Sequence, residues 1–140
     1  MISASTRIKA QFYDLDPMNI VWHGNYARFL EQARCELLDR IGFNYVQMAA
    51  TDYAWPIVDM RTKYIAPIQF GQWIIVTANL VEWENRLRID YRITDAATGA
   101  VLTKAQTTQM AVNRHTNETA FETPEPFLQA LRNAVEQPGP

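Results

Sequence analysis

The sequence predicts an α+β domain in which one helix packs on one face of an antiparallel sheet. Three observations carry this prediction: a single long amphipathic helix pattern early in the chain, a run of extended segments after it, and short connections between those segments. The alternating βα units of a dinucleotide fold are missing. So is a glycine-rich phosphate loop, since only 5 glycines are spread over the chain.

Taken in order, Thr6, Ile8, Ala10 and Phe12 alternate with Arg7, Lys9 and Gln11, which predicts a half-buried strand with one polar face. Pro17 and Asn19 then punctuate the chain and predict a turn or loop. Tyr26, Phe29, Leu30, Ala33, Leu37, Leu38 and Ile41 recur at three- and four-residue spacings, the mark of an amphipathic helix. Arg28, Glu31, Gln32, Arg34, Glu36 and Asp39 fill its other positions, and Gly42 supplies a C-terminal stop. A short helical turn is expected over 45–50. From Trp55 the chain reads as extended, with Pro56 and Pro67 bracketing Ile57, Val58, Tyr64 and Ile65. Residues 73–83 are rich in β-branched and aromatic side chains.

The clearest strand runs from Arg86 to Thr94, where Leu87, Ile89, Tyr91 and Ile93 alternate with Arg86, Arg88, Asp90 and Arg92. The connection Trp83-Glu84-Asn85-Arg86 before it is short enough for a hairpin. A second turn at 95–99 leads into a long strand over 101–112, and 113–117 is polar and turn-like. The tail from Pro124 reads as helix through Phe127, Leu128, Leu131 and Val135, with a frayed end at 137–140.

The length of 140 residues fits one domain, 1–140. A formal charge of -2, from 13 Lys+Arg against 15 Asp+Glu, excludes a globally basic nucleic-acid binder. The single cysteine, Cys35, cannot form an internal disulfide or complete a cysteine-rich zinc site. It reads as a small buried hydrophobe rather than a nucleophile. No stretch approaches the ~18 apolar residues of a membrane span, and the N-terminus lacks an apolar signal core. The expectation is a soluble cytoplasmic protein with no membrane insertion, no metal and no cofactor.

Chemistry concentrates between the first strand and the long helix. The run from Tyr13 to Tyr26 holds Asp14, Asp16, one of only 2 histidines (His23), and a helix start. Unpaired N–H groups at a helix start can polarise a carbonyl whose oxygen becomes negative in the transition state. A carboxylate across from them could attack that carbonyl or draw a proton from water. That pairing suits acyl transfer.

The run Asp14-Leu15-Asp16-Pro17-Met18-Asn19-Ile20-Val21-Trp22-His23-Gly24-Asn25-Tyr26, followed by Glu31-Gln32-Ala33-Arg34, resembles the 4-hydroxybenzoyl-CoA thioesterase-like branch of the hotdog-fold acyl-CoA thioesterases. The resemblance extends through Tyr64-Ile65-Ala66-Pro67 and Glu82-Trp83. It implies a hotdog fold, a long central helix wrapped by a curved antiparallel sheet of five or six strands. It also implies hydrolysis of an acyl-CoA or acyl-carrier-protein thioester, by a homodimer or homotetramer. Carried over, the catalytic aspartate falls on Asp16 and the oxyanion donor on the backbone N–H of His23, with Gly24 beside it. Trp22 and Asn25 become candidate substrate contacts. Arg86 and Arg88 are the basic residues offered to CoA phosphates, although Glu84 and Asn85 thin out that run. Asn19 stands where relatives usually carry glycine.

Each assignment has a plainer competitor. Asp14 reads as structural, bonding its own turn, and Asp16 could do the same. Asn25 could be a helix N-cap, and Glu31 with Arg34 a surface or interface ion pair. Trp22, Trp55 and Trp73 read as core or interface anchors before they read as pocket walls, and His115 as a solvated turn residue. Two other functions stay open beside hydrolysis. One is a hotdog hydratase or dehydratase using His23 with Asp16, and the other a non-catalytic acyl-thioester binding protein.

Overall fold

The computed structural model describes residues 2–136; the expected frayed end at 137–140 lies outside them. The chain begins with β1 (Ile2–Lys9) and passes through two single 3-10 turns, Phe12–Asp14 and His23–Asn25. The second turn runs directly into α1 (Tyr26–Ile41). A short α2 (Tyr45–Ala49) and the two-residue β2 (Tyr53–Ala54) lead to β3 (Ile57–Tyr64). Three long strands follow, β4 (Trp73–Glu82), β5 (Leu87–Asp95) and β6 (Val101–Gln109). The two-residue β7 (Val112–Asn113) and α3 (Glu125–Glu136) complete the described chain.

Five strands form one antiparallel sheet in the order β1-β4-β5-β6-β3, and β2 pairs with β7 in a separate two-stranded ladder. Alternation sets the layers. Ile74, Val76, Ala78 and Leu80 of β4, with Leu87, Ile89, Tyr91 and Ile93 of β5, are buried on one side of the sheet. The buried stripe of α1, Phe29, Leu30, Ala33, Leu37, Leu38 and Ile41, belongs to the same core. Register shifts between Ile57 and Asp59, Leu80 and Glu82, and Ile93 and Thr94 bend the strands. The architecture is the hotdog arrangement, one long helix laid against an antiparallel sheet. At its C-terminus α1 stops where expected: Gly42 adopts φ 84° and its N–H reaches the Leu38 and Asp39 carbonyls.

Three expectations change. The first strand ends at Lys9, and Phe12 is not its inward residue; it lies in a 3-10 turn and is 78% exposed. The turn forms because the Asp14 carboxylate accepts the Gln11 N–H at 2.8 Å, which pulls the chain out of the extended line. The long strand over 101–112 breaks after Gln109, and Val112 pairs with β2 instead. Arg34 is not a surface group. It is buried, with Nη1 donating to the Tyr91 hydroxyl at 3.4 Å and Nη2 to the Tyr45 hydroxyl at 3.2 Å, while Glu31 stands 3.6 Å away on the exposed side. Of the three tryptophans read as anchors, Trp55 is buried. Trp22 and Trp73 are half-exposed, Trp73 lying under the Arg7 guanidinium at 4.5 Å.

Two outcomes test this frame. Leu37 is fully buried between helix and sheet, so Leu37→Ala should lower the unfolding free energy by about 2–5 kcal/mol in an equilibrium urea titration. Asp95 fastens the β5–β6 turn: Gln72 donates to it at 2.8 Å, and the Thr98 N–H and hydroxyl at 2.8 and 2.9 Å. These bonds, Gln72 first and then Thr98, hold its carboxyl below the usual range. A depressed folded-state pKa contributes stability above the unfolded value and loses it as pH falls through the folded value. The stability gap between wild type and Asp95→Asn should therefore close below about pH 4 in pH-dependent thermal melts.

Candidate active site

The loop between the two 3-10 turns is a small, fully bonded hairpin. Leu15 and Val21 form an antiparallel bridge, the Asp16 N–H donates to the Ile20 carbonyl at 2.9 Å, and the Asn19 N–H returns to the Asp16 carbonyl at 2.9 Å. Asn19 sits at φ 64°, a left-handed position that Asn tolerates without a glycine. The Asp16 Oδ1 accepts the Met18 N–H at 2.8 Å, the local turn bond expected of an aspartate there. Its Oδ2 has no protein partner among the described residues. Outward anchoring comes from the segment before β4: the Val21 N–H donates to the Ile68 carbonyl at 2.8 Å and Ile20 bridges Gln69.

Asp14 holds the base of the hairpin. Its carboxylate, 3% exposed, accepts Arg28 Nη2 at 2.7 Å, and its carbonyl accepts the Trp22 N–H at 2.9 Å and Asn25 Nδ2 at 2.8 Å. The structural reading of Asp14 holds. Asn25 stands at the N-cap position of α1, but its side chain makes no capping bond: its backbone is already helical, at φ -87° and ψ -13°, and its amide donates to the Asp14 carbonyl.

Asp16 and His23 line one cavity of about 310 Å³. Tyr26 and Tyr64 add the other polar groups, and Met18, Ile20, Val21, Ile65, Ala66 and Pro67 make an apolar wall. The Tyr64 ring stands edge-on to Tyr26 at 4.8 Å, and its hydroxyl reaches the His23 carbonyl at 3.5 Å. Burial raises the Tyr26 phenol, which therefore stays protonated at neutral pH. In the turn that opens the helix, the Asn25 N–H bonds the Trp22 carbonyl and the Tyr26 N–H bonds the His23 carbonyl. The N–H groups of His23 and Gly24 have no acceptor inside that turn, as expected for its first two residues.

Gly24 is dictated by its neighbour. The Trp22 indole folds over it so closely that a Cβ there would come within 2.4 Å of the ring. The same indole stands 5.5 Å from the His23 imidazole, centroid to centroid.

The remaining sequence candidates lie elsewhere. Trp22 and Asn25 flank the cavity without lining it. Arg86 pairs with Glu82, its Nε 3.2 Å from both carboxylate oxygens, and Arg88 lines a hollow formed by β3–β6. The Cys35 thiol is pushed up by burial and then by Glu31, which keeps it protonated and unreactive. Exposed His115 faces Asp52 at 3.2 Å in its turn. Among the described residues no group of three or more His, Cys, Asp or Glu could hold a metal ion. Tyr26 and the apolar wall escaped the sequence reading. Tyr64-Ile65-Ala66-Pro67 was visible as a motif, and its approach to His23 arises from packing across 41 positions.

The clash at Gly24 gives a direct test. Gly24→Ala should drive the indole off the helix start, visible as a changed near-ultraviolet circular dichroism band. Adding Trp22→Ala should restore the thermal stability that the single variant loses.

Comparison with known proteins places the chain. The family described as the thioesterase-like superfamily matches residues 10–131. The hypothetical protein TT1821 from Thermus thermophilus is 30% identical, with a TM-score of 0.82 over 94% of this chain and 98% of its own. Slr0204, a 1,4-dihydroxy-2-naphthoyl-CoA thioesterase from Synechocystis, shares the fold at a TM-score of 0.85 and 20% identity, over 97% of this chain and 99% of its own. The Bacillus subtilis protein named "Putative acyl-CoA thioesterase YneP" is 32% identical over 69 residues, 49% of this chain and 50% of its own. The chain spans about half the length of the curated relatives it matches first. With 122 consecutive positions under one family pattern and the hotdog architecture beneath them, the chain belongs to the thioesterase-like superfamily.

Proposed function

We propose that the chain hydrolyses an acyl thioester, carried on CoA or on an acyl-carrier protein, to a carboxylic acid and a free thiol. The observation that carries this reading is the meeting of Asp16 and the His23 helix start in one apolar-walled cavity. The curated relatives' names, esterase and acyl-CoA or acyl-carrier-protein thioesterase, support the reaction class.

In the proposed mechanism the thioester carbonyl oxygen points at the N–H groups of His23 and Gly24. Charge develops on that oxygen as the tetrahedral intermediate forms, and the positive end of α1 favours it. The Met18 N–H fixes Asp16 Oδ1 and leaves Oδ2 to act. Oδ2 either attacks the carbonyl carbon, giving an anhydride and expelling the thiolate, or takes a proton from the water that attacks. The thiolate is a good leaving group in both routes. The wall of Met18, Ile20, Ile65 and Pro67 receives the acyl group. Trp22 and Asn25 act at the rim, and Arg86 and Arg88 remain the proposed contacts for CoA phosphates.

The proposed working unit is a homodimer or homotetramer. β3 is an edge strand, and Ile57, Val58 and Met60 on it are 40–52% exposed, a combination that a second copy would cover. The lone Cys35 fits a reducing compartment such as the cytoplasm, and no described helix is long and apolar enough to cross a membrane.

A second reading draws on the same pair. His23 with Asp16 could move protons for hydration of an enoyl thioester, and solvent deuterium entering the acyl α-carbon would identify it. Hydrolysis itself is tested by thiol release over aryl- and acyl-CoA esters and an acyl-carrier protein. Asp16→Asn still accepts the Met18 N–H, so the turn survives, while turnover should fall by about 10²–10⁴-fold. Full turnover by Asp16→Asn on every ester that the wild type cleaves would overturn the assignment.

A further inference from the structure

The face of the sheet turned away from α1 carries a set of cations of which the hydrolytic reading uses only Arg88. Arg61 and Lys63 of β3, Arg88 and Arg92 of β5, and Lys104 of β6 line a shallow hollow of about 760 Å³ in a chain whose formal charge is -2. Each alternates along its strand with residues of the other face, such as Ile89, Tyr91, Ile93 and Thr103. None of the five forms an ion pair among the described residues. The one carboxylate lining the hollow, Asp90, accepts Gln106 Nε2 at 2.9 Å, and the Arg88 Nε is buried without a partner.

The register sharpens the point. Lys63 lies directly opposite Lys104, and Lys104 directly opposite Arg92, so three cations stand in one row across β3, β6 and β5. Like charges at directly opposed positions destabilise a sheet, where opposite charges would have stabilised it. The row is a local cost that packing does not require, because these side chains face away from the core.

We infer that this face docks the acidic side of a helix of a partner protein. Charge complementarity supplies the attraction, and the spacing matches. Three adjacent strands span about 10 Å, as do carboxylates at i, i+4 and i+7 of a helix lying across them. Nucleic acid fits less well, since the hollow offers no exposed aromatic ring for base stacking. A second copy of the same face would meet it with like charge.

The test uses the intact protein and reads binding without any thioester, so its outcome is separate from that of the hydrolysis assay. Fluorescence anisotropy is measured with a labelled helical peptide of about 20 residues bearing glutamates at i, i+4 and i+7. Tripolyphosphate and an oligo-dT strand serve as competitors. The peptide should bind at low salt and be released at high salt. Lys104→Gln, at the centre of the row, should weaken it about 3- to 5-fold and yet raise the melting temperature by roughly 1–4 °C. Arg132→Gln on α3 should do neither. Unchanged affinity or an unchanged melting temperature in Lys104→Gln would overturn the inference. So would tighter binding of tripolyphosphate or oligo-dT than of the peptide.

Discussion

The buried carboxylate of Asp14 is the contact on which the rest of the site depends. One side chain, 3% exposed, bonds the Gln11 N–H behind it and the Arg28 guanidinium one helical turn ahead, while its carbonyl holds Trp22 and Asn25. These four bonds tie the segment after β1, the loop and the first turn of α1 into one body. A buried carboxylate without a donor or cation would carry a desolvation cost, which the Gln11 N–H and the Arg28 guanidinium together offset. Asp16 lies two residues further on, with its own position set by the small hairpin that Asp14 closes.

Division of labour between the two aspartates follows from exposure. Both carboxylate oxygens of buried Asp14 already accept a donor. Asp16 keeps one oxygen unpartnered and lines the cavity together with His23. The Trp22 indole occupies the volume that any side chain at 24 would need, which fixes glycine at the helix start. Tyr64 brings the far wall against the same turn, so a strand from mid-chain completes a cavity begun near the N-terminus.

Periodicity made most of the fold legible. The three- and four-residue spacing from Tyr26 to Ile41, with Gly42 after it, gave α1 to the residue, because a single-faced helix and a left-handed stop are both local signals. Leu87, Ile89, Tyr91 and Ile93 gave β5 to within one residue at each end. Local reasoning failed where a side-chain bond decided the outcome. Phe12 continues the alternation of β1, but a side-chain bond from Asp14 turns the chain away. Arg34 looks like a surface residue paired with Glu31 until the Tyr91 and Tyr45 hydroxyls are placed beside it. In the site, Asp16 and His23 were marked by the motif around the helix start. Tyr26 and the apolar wall were not, because no local pattern distinguishes a cavity lining from ordinary core. The row Lys63, Lys104 and Arg92 is invisible without the register of three strands.

The most direct measurement is hydrogen exchange of Asp14→Ala, followed peptide by peptide beside its rate of thioester hydrolysis. If Asp14 organises the site, exchange should quicken through residues 13–26 while β5 stays protected, and hydrolysis should collapse with it. Unaltered protection through 13–26, or full hydrolysis from a loop that exchanges freely, would contradict the account.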